Sequence, residues 1–454
     1  MLKISHAGNE VLKTFAPLLE RTRTREWIWI LFLLGIIGWG LYGLYLQITV
    51  GHTVTGMRDN VVWGIYIANF IFFIGISYAG AVISGFLHLL KVEWRKPIIR
   101  IAELITVIAT LIGPLFILLC VGRLDRLHHL VLYARLQSPI TWDVLAISTY
   151  LVGGLIFLYL ATIKDFAIYR DSTTLKLSKW KRKLFAILAL NYRDTEGQKR
   201  RIAVSSNLMA IMIIPLAIIV HSVLSWIFGM TLRPGWHSTI FGPYFVLAAI
   251  YSGTGVLIIA MWIFRKRYKL EAFILDKHFH YLGYIMLVLA AGYGYFTFSE
   301  YLTDWYGSEK WISQLIHKFF DWDQYGALFL FTNVGGIVLP IIVVAVPQLR
   351  KPGILAIASA IMVLAMWVKR YLIVVPTLET PLLPIEDIRP EYIKYSITWV
   401  EWSLTFGGVA SFLLFFTIAA KFMTLIPVSE VTDKEDEKIN QIEHGKEYTI
   451  PAHE

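Results

Sequence analysis

The sequence predicts an all-α integral membrane protein with ten transmembrane helices. Hydrophobic residues make up 57% of its 454 residues and charged residues only 16%, whereas soluble globular proteins carry about 25% charged residues. A helix needs about 20 mostly apolar residues to cross a bilayer, and ten runs of the chain reach this length. These runs, numbered spans 1 to 10, define a transmembrane domain over residues 27–423 and cover residues 27–49, 61–90, 97–122, 143–166, 205–230, 237–264, 279–301, 324–347, 353–376 and 395–423.

The distribution of basic residues predicts the orientation of these helices. If the N-terminus is cytoplasmic, the segments on its side of the membrane hold 31 of the 42 Lys and Arg residues, and the opposite segments hold 11. Cytoplasmic loops are enriched in Lys and Arg, so we place both termini in the cytoplasm. Residues 1–26 then form a polar cytoplasmic segment, and residues 424–454 form a charged, disordered cytoplasmic tail. The net charge of +10 is thus a topology signal that also suits contact with membrane lipid, and it argues against a nucleic-acid partner.

Three long segments on the outer side are rich in aromatic residues. They read "GRLDRLHHLVLYARLQSPITW", "TDWYGSEKWISQLIHKFFDWDQ" and "VVPTLETPLLPIEDIRPEYIKY". Their apolar residues recur at near-helical spacing, as in amphipathic helices that lie on a membrane surface. The same pattern suits a floor on which an external partner docks, and this is the interpretation that we prefer.

A weak internal repeat predicts how the spans are grouped. The stretch "WGIYIANFIFFIGI" at Trp63 aligns with "FGPYFVLAAIYSGT" at Phe241, at an offset of 178 residues. The alignment matches Gly64 with Gly242, Tyr66 with Tyr244, and Gly75 with Gly253. Parallel repeats of this kind occur in several membrane folds. We therefore predict two four-helix bundles, spans 2–5 and spans 6–9, with spans 1 and 10 beside them.

Polar and ionisable residues fall at two depths within the spans. Such residues are costly in a bilayer, so we treat them as candidates for function. The outer set is Asn69, Asp143, His237, Glu300 and Glu401, and the inner set is His88, Glu103 and Asp165. Structural interpretations compete with functional ones, because Asp143 also fits an N-cap of span 4. The adjacent Lys369 and Arg370 in span 9 are expected to pair with Glu401 or Glu379.

The sequence favours a quinone over a bound redox centre. The chain has one cysteine, Cys120, and an iron–sulfur cluster needs about four thiolates. His221 lies about 14 Å inside its span, whereas His237 lies at the start of its own, so the two do not match in depth as bis-histidine haem ligands must. We expect neither haem nor an iron–sulfur cluster in this chain. A quinone suits polar groups gathered near the outer face, because a His or carboxylate there can exchange its protons while a partner subunit exchanges its electrons.

Several motifs resemble one family of membrane subunits. The stretches "WGIYIANFIFFIGISYAGAVISG", "RIAELIT", "GRLDRLHH", "SPITWDVLAISTYLVGG" and "RPGWHSTIFGPYFVLAAIYSG" are similar to the NrfD-like polysulfide-reductase membrane subunits. The ten-span layout resembles the long branch found in alternative complex III and in quinone reductase complexes. The resemblance implies a haem-free subunit of the prokaryotic cytoplasmic membrane with a quinone site, for menaquinone, near the outer face. It also implies an iron–sulfur subunit docked there, with a molybdopterin subunit or cytochromes c.

The family's motifs carry over residue by residue. Asp143 stands in "SPITWD", a position that the resemblance places near the quinol, His237 stands in "RPGWHST", and Glu103 stands in "RIAE". Two positions depart from the family's pattern. Tyr78 replaces the histidine of a His-Ala-Gly triplet, and Cys120 replaces a histidine that is a favoured quinol ligand in the long branch.

Together these residues predict a quinone site between the outer ends of spans 2 to 6. Asp143 and His237 would contact the head group and exchange protons, and Arg123 would orient Asp143 or stabilise a semiquinone. The side chains expected to line the pocket are Tyr66, Asn69, Tyr78, Trp142 and Tyr244. A proton path that would make turnover electrogenic is predicted at Glu103, Asp165, His88 and Glu401.

Two other interpretations stay open at this point. A transporter or ion channel without redox chemistry would also have ten spans and buried charges, and it would show a polar cavity near the midplane and no redox partner. A membrane anchor whose quinone site has decayed would account for the departures at Tyr78 and Cys120.

Overall fold

The computed structural model describes residues 5–380 and 393–432, which form helices and connecting segments without a strand. Ten of the helices are long and apolar enough to cross a membrane, which confirms the predicted all-α membrane architecture. Each coincides with one predicted span and keeps that span's number below. The words inner and outer follow the orientation that the sequence predicts, in which the N-terminus lies on the inner side. Spans 1 to 10 run over Thr24–Val50, Gly64–Leu89, Ile99–Cys120, Pro139–Asp171, Glu196–Gly229, Phe241–Tyr268, Asp276–Gly307, Gly326–Ala345, Pro352–Leu378 and Trp399–Ala419.

Local sequence signals set where the spans begin. Span 4 begins at Pro139 with Ser138 as its N-cap residue, and Pro is favoured in the first turn because the missing N–H has no helical partner there. Span 10 begins with a capping box, in which the Thr398 N–H donates to Glu401 Oε2 at 2.9 Å. Span 4 therefore starts before Asp143, and the alternative interpretation of Asp143 as an N-cap is wrong.

The N-terminal segment, expected to be only polar, contains an additional helix over His6–Glu20. Its apolar side chains recur every three or four residues and are buried, and the ring of Phe15 lies 6.0 Å from that of Tyr268 at the inner end of span 6. A second inner helix, Lys179–Leu188, lies in the basic loop between spans 4 and 5. Its Phe185 is fully buried against the end of span 4.

One of the three outer segments forms an amphipathic helix, as its spacing predicts. This outer helix runs over Lys310–Phe320, and its Leu315 and Phe319 are buried against Val368 and Leu372 of span 9. The helix therefore packs on the transmembrane helices. Residues 381–392 of the third outer segment lie outside the described residues.

The contacts between spans define two groups of four helices, and in each group the last helix packs against the first. In the first group, spans 2–5, each helix contacts the next and span 5 returns to span 2. In the second group, spans 6–9, the same pattern runs from span 6 round to span 9 and back. The groups meet where span 6 contacts spans 2 and 5 and where span 9 contacts span 2, and span 1 packs along span 10. These contacts fit the predicted pair of bundles, although the grouping itself stays a prediction.

Small residues allow the closest approaches between these helices. A Cβ atom at Gly43 would lie 2.3 Å from Ser403 Oγ, so a larger residue there would require the Ser403 side chain to move at the contact between spans 1 and 10. A Cβ atom at Gly80 would lie 2.1 Å from the carbonyl oxygen of Ala102 in span 3. Gly80 belongs to a π-helical segment of span 2, Ala79–Ser84, and such segments often mark functional sites.

The start of the C-terminal tail is packed against the inner ends of the helices. The disordered tail was expected to begin at residue 424, but Leu425, Ile426 and Val428 are fully buried. The backbone N–H of Ser429 donates to Asp165 Oδ1 at 2.9 Å. Residues 433–454, which carry most of the tail's charges, lie outside the described residues.

Candidate functional site

Asp143 is a buried carboxylate in the second turn of span 4, near the outer face. Its side chain is 4% exposed, and its Oδ1 atom has no hydrogen-bond partner in the part of the chain that the structure describes. The neighbouring Trp142 is half-buried, and its Nε1 donates to the carbonyl oxygen of Leu136 at 2.5 Å. A buried polar atom without a partner is destabilising, so Oδ1 is poised to accept or share a hydrogen bond with a ligand.

Arg123 does not orient Asp143, contrary to the sequence prediction. Its side chain is 65% exposed, and it forms a two-point ion pair with Asp125, with Nη2 2.8 Å from Oδ2. The hydrogen bond from this guanidinium holds the pKa of Asp125 below its usual value. Asp125 lies only two residues away on the outer surface, so the Arg123 guanidinium pairs with it and not with the buried carboxylate of Asp143.

His237 lies on the surface of the turn that precedes span 6. Its side chain is exposed, and among the described residues no contact joins it to Asp143. The turn depends on Gly235, whose φ of +77° suits glycine. The turn buries Trp236, which stacks on Trp63 with ring centroids 5.8 Å apart and donates from Nε1 to the carbonyl oxygen of Ile373 at 2.6 Å. The tryptophan, rather than the histidine, is therefore the side chain that this motif places in the interior.

Tyr66 and Asn69 are buried and bonded to the flanking helices. The Tyr66 hydroxyl donates to Gln47 Oε1 of span 1 at 2.8 Å. Asn69 donates from Nδ2 to Thr405 Oγ1 of span 10 at 2.8 Å, and its Oδ1 accepts from Trp367 Nε1 of span 9 at 2.8 Å. The hydrogen bonds of both side chains are thus used to join spans.

Tyr78 contacts His221. The sequence excluded His221 as a haem ligand and assigned it no other role. The Tyr78 hydroxyl donates to the carbonyl oxygen of Ala217, and its ring lies edge-on to His221 with centroids 4.0 Å apart. His221 is 1% exposed, and within the described ranges neither of its ring nitrogens has a hydrogen-bond partner. The signal for His221 was its depth, because it lies eight residues, about 12 Å, inside the outer end of span 5.

The second group buries two adjacent cations in span 9. Lys369 Nζ donates to the Tyr301 hydroxyl at 2.5 Å, and Arg370 Nη2 donates to Ser252 Oγ at 3.1 Å. The expected ion pairs with Glu401 or Glu379 are absent among the described residues. The Glu401 carboxylate instead accepts a hydrogen bond from the Tyr395 hydroxyl at 2.6 Å. It also accepts from the N–H groups of Gly56 and Thr398 and from Thr398 Oγ1. The Glu379 carboxylate accepts from the Tyr325 hydroxyl and from the Tyr395 N–H. Burial among these groups raises the pKa of Glu379, which lies just beyond span 9.

Tyr244 belongs to a chain of hydroxyl groups in the second group. Its hydroxyl lies 3.1 Å from that of Tyr293 and 2.9 Å from Thr297 Oγ1. A cavity of about 40 Å³ is lined by Tyr244 together with Lys369 and Glu300. The residues lining this cavity are Gly235, Phe241, Tyr244, Glu300, Tyr301, Asp304, Leu315, Ile316, Phe319, Lys369, Leu372, Ile373 and Thr377.

A larger cavity of about 450 Å³ lies beside Tyr301, between spans 7 and 8 and the outer helix. Its volume falls in the range of about 300–1,000 Å³ that is typical of small-molecule pockets. The lining is mostly aromatic and apolar and consists of Gly294, Thr297, Phe298, Tyr301, Phe319, Phe320, Trp322, Gly326, Phe329, Leu330, Asn333, Ile337 and Val338. We refer to it as the aromatic cavity.

Two residues of the predicted proton path meet at the inner face. Glu103 and His88 line one cavity of about 440 Å³. Ser84 Oγ donates to Glu103 Oε1 at 3.2 Å, Glu103 Oε2 has no hydrogen-bond partner among the described residues, and His88 Nε2 lies 2.7 Å from Asn207 Oδ1. Because this cavity lies at the inner ends of spans 2, 3 and 5, we refer to it as the inner cavity.

The other two residues of that path have structural partners. Asp165 is fully buried in an ion pair with Arg100, with Nη2 3.0 Å from Oδ2. Glu401 caps span 10 at the opposite, outer end of the helices. The structure therefore brings together Glu103 and His88, and it separates Glu401 from them.

Comparison with known proteins agrees with the resemblance in the motifs. The family model described as Polysulphide reductase, NrfD matches residues 53–381. The chain is 29% identical to a putative dimethyl sulfoxide reductase membrane subunit of Halobacterium salinarum, over 76% of this chain and 74% of that protein. It is 24% identical to the Hdr-like menaquinol oxidoreductase integral membrane subunit of Archaeoglobus fulgidus, over 90% and 95% of the two chains. It is also 24% identical to the menaquinone reductase integral membrane subunit of Nitratidesulfovibrio vulgaris, over 88% and 92%. Because the family model covers most of the chain, including spans 2 to 9, this protein belongs to the NrfD polysulphide reductase family of integral membrane proteins.

Proposed function

We propose that this chain is the quinone-reactive membrane subunit of a multi-subunit respiratory oxidoreductase, and that the quinone is menaquinone. Two of its relatives are named as integral membrane subunits of a menaquinol oxidoreductase and a menaquinone reductase. The observation that carries the proposal to particular residues is the unpartnered, buried Oδ1 of Asp143 near the outer face.

Asp143 has the hydrogen-bonding chemistry that a quinone head group needs. A quinone needs hydrogen-bond partners at its ring oxygens and a nearby group that exchanges protons. In its protonated form Asp143 can donate to a ring oxygen, and in its ionised form it can accept a proton from a ring hydroxyl. The half-buried Trp142 beside it offers an apolar face. When bound, the quinone supplies two-electron, two-proton chemistry, and Asp143 holds or moves the proton at Oδ1.

An electron-carrying partner, which we take to be an iron–sulfur subunit, would dock on the outer face, with a molybdopterin subunit or cytochromes c beyond it. Relatives are named as subunits of dimethyl sulfoxide reductase and selenate reductase, so partner subunits are expected. Large exposed apolar patches often mark protein interaction sites. Exposed aromatic side chains gather at the outer ends of span 7 and the outer helix, namely Trp305, Tyr306, Phe320 and Trp322.

The inner cavity supports coupling of the reaction to proton uptake from the cytoplasm. It places Glu103, with a free Oε2, next to polar and basic side chains at the inner ends of the helices. Protons taken up there and delivered to a quinone near the outer face would cross most of the membrane. Turnover would then be electrogenic, as the sequence predicts.

The test is quinone-dependent electron transfer by the complex purified in mild detergent with its partner subunits. Menadiol oxidation by ferricyanide, or menadione reduction by reduced methyl viologen, serves as the assay. We expect Asp143→Asn to lower the rate by about 10²–10⁴-fold, because an amide cannot exchange the proton. Asp125→Asn, which changes an exposed carboxylate on the same side, is the matched control and should be unaffected.

A second variant separates the Asp143 site from the aromatic cavity. Leu330→Trp fills part of that cavity, and it should leave the reaction unchanged. If Leu330→Trp loses activity and Asp143→Asn retains it, the quinone site would lie in the second group and not at Asp143. A wild-type complex that lacks redox partners and does not react with either quinone form would contradict the proposed function and favour a transporter.

A further inference from the structure

Lys369 and Arg370 are buried cations within span 9. Among the described residues, no carboxylate lies within ion-pair distance of either one. Their partners are neutral oxygens, including the Tyr301 hydroxyl, Ser252 Oγ and the carbonyl oxygen of Met366 at 2.9 Å. Burying a charge without a counter-ion is costly. The two cations also differ in chemistry, because a guanidinium keeps its proton in proteins while a buried ammonium can lose one. Lys369 can therefore carry a proton that moves, and Arg370 is a fixed positive charge.

Arg370 lies where the two groups of helices meet. Its Nη2 is 3.5 Å from the position that a Cβ atom of Gly75 would take in span 2. Tyr78, one turn further along span 2, contacts His221 of span 5. Arg370 and His221 each lie eight residues, about 12 Å, from the outer ends of their helices. Near the midplane, an unpartnered histidine of the first group thus faces a fixed charge of the second.

A line of hydroxyl groups leads outward from this point. Arg370 contacts Ser252, and the neighbouring Tyr251 lies beside Tyr293 with ring centroids 5.9 Å apart. The hydroxyls of Tyr293 and Tyr244 are 3.1 Å apart. The 40 Å³ cavity then joins Tyr244 to Lys369 and Glu300. A space of this size holds one or two waters when polar groups line it. At its outer end Ser238 Oγ donates to Glu300 Oε2 at 2.9 Å, in the surface turn before span 6.

On the inner side, the first group provides the approach to His221. Glu103 at the inner cavity is bonded to Ser84, and six residues of span 2, a rise of about 9 Å, separate Ser84 from Tyr78. This interval coincides with the π-helical segment Ala79–Ser84. Such π-helical turns occur frequently at functional sites, and this one lies along the interval between Glu103 and His221.

We propose that the second group carries an exit route for protons, from His221 and Arg370 at the midplane to Glu300 at the outer surface, with Lys369 and Glu300 as the proton-carrying groups. In addition to the protons delivered to the quinone, protons taken up at Glu103 pass His221 and leave through the 40 Å³ cavity. Each step moves one proton between oxygen or nitrogen atoms and water, and no other bond changes. The fixed charge of Arg370 opposes an excess proton at the midplane, so it limits leakage when the enzyme is idle. This inference rests on the proposed function, because the quinone reaction drives the protons.

The main test measures protons released per quinol by the complete complex in sealed vesicles. Menadiol is oxidised by ferricyanide, with a pH-sensitive dye and with valinomycin and potassium to prevent charge build-up. Oxidation itself releases two protons per quinol, and the wild type is expected to release more. In Glu300→Gln and Lys369→Met the excess should fall at least five-fold, while electron transfer with an uncoupler stays within two-fold of wild type. Asp323→Asn, an exposed carboxylate on the same face, is the matched control.

Two results of that test would overturn the inference, namely a wild type with no excess protons, or an unchanged excess in both variants. Glu300→Asp should restore the excess, which distinguishes a proton carrier from a residue that only supports the fold.

A further measurement does not depend on the quinone. Under an imposed potassium diffusion potential, Arg370→Met should raise passive proton flux through the complex at least five-fold, and adding Glu300→Gln should return it to the wild-type value. Equal flux in all three proteins would also overturn the inference. Absence of quinone-dependent electron transfer in the wild type would contradict the proposed function alone.

Discussion

The two groups of helices treat buried charge in different ways. In the first group, Arg100 and Asp165 are both fully buried and form an ion pair of 3.0 Å. Its described groups with an unpartnered buried atom include two acids, Asp143 at the outer end and Glu103 at the inner end, and the neutral-capable His221 between them. In the second group, the described buried charges without an ion pair include two adjacent cations of span 9, Lys369 and Arg370. The difference suggests that the ion pair serves the fold, whereas the unpaired groups serve exchange of protons with a ligand or with water.

The largest effect on stability is expected for Arg100→Met. Removing one partner of a buried ion pair leaves an uncompensated charge and costs about 3–5 kcal/mol. The apparent melting temperature of the purified complex should fall accordingly, and the double variant Arg100→Met/Asp165→Leu should recover most of the loss. Lys369→Met leaves no described carboxylate without its partner, so its loss should be clearly smaller. Equal losses in Arg100→Met and Lys369→Met would contradict the comparison.

An intermediate effect is expected for the tyrosines that the sequence repeat aligns. Tyr66→Phe leaves Gln47 Oε1 without its donor, and leaving a buried acceptor unsatisfied costs about 1–3 kcal/mol. Tyr244→Phe leaves the Tyr293 and Thr297 hydroxyls, which can still bond to other groups, so it should cost less. Its main effect should be on the excess protons released per quinol, which Tyr66→Phe should not change. Two variants that behave alike in both measurements would mean that the groups do not differ in this respect.

The sequence was sufficient for the transmembrane architecture because each span has a long apolar run with few charges. It was less informative where a short helix mixes charges with a narrow apolar face. His6–Glu20 was missed for this reason, since its basic neighbours hide the spacing of Val11, Phe15 and Leu19. The start of span 4 could have been read from Ser138–Pro139, which is a common N-terminal signal of a helix.

For the candidate site, the sequence predicted only how deep each residue lies along its helix. Depth placed Glu103 and His88 at the same end, and the structure brings them into one cavity. Tertiary packing decides which way each helix turns its side chains and which of several possible hydrogen-bond partners a side chain contacts. The sequence alone does not give either. For that reason Glu401 was expected to serve Lys369 and Arg370, whereas the cap of span 10 occupies it. His221 was dismissed as a haem ligand for want of a second histidine, although its burial deep in span 5 was itself a signal of function.

The smallest effect is expected for Arg123→Ala, and it separates the structure from the sequence prediction most directly. If Arg123 oriented Asp143, its loss would lower quinone-dependent electron transfer nearly as much as Asp143→Asn does. In the structure its guanidinium is exposed and bonded to Asp125, and exposed ion pairs contribute little to stability. Both the melting temperature and the rate of menadiol oxidation should therefore match the wild type. A rate reduced ten-fold or more would show that Arg123 leaves Asp125 when quinone binds, and the site of the first group would then have to include the loop between spans 3 and 4.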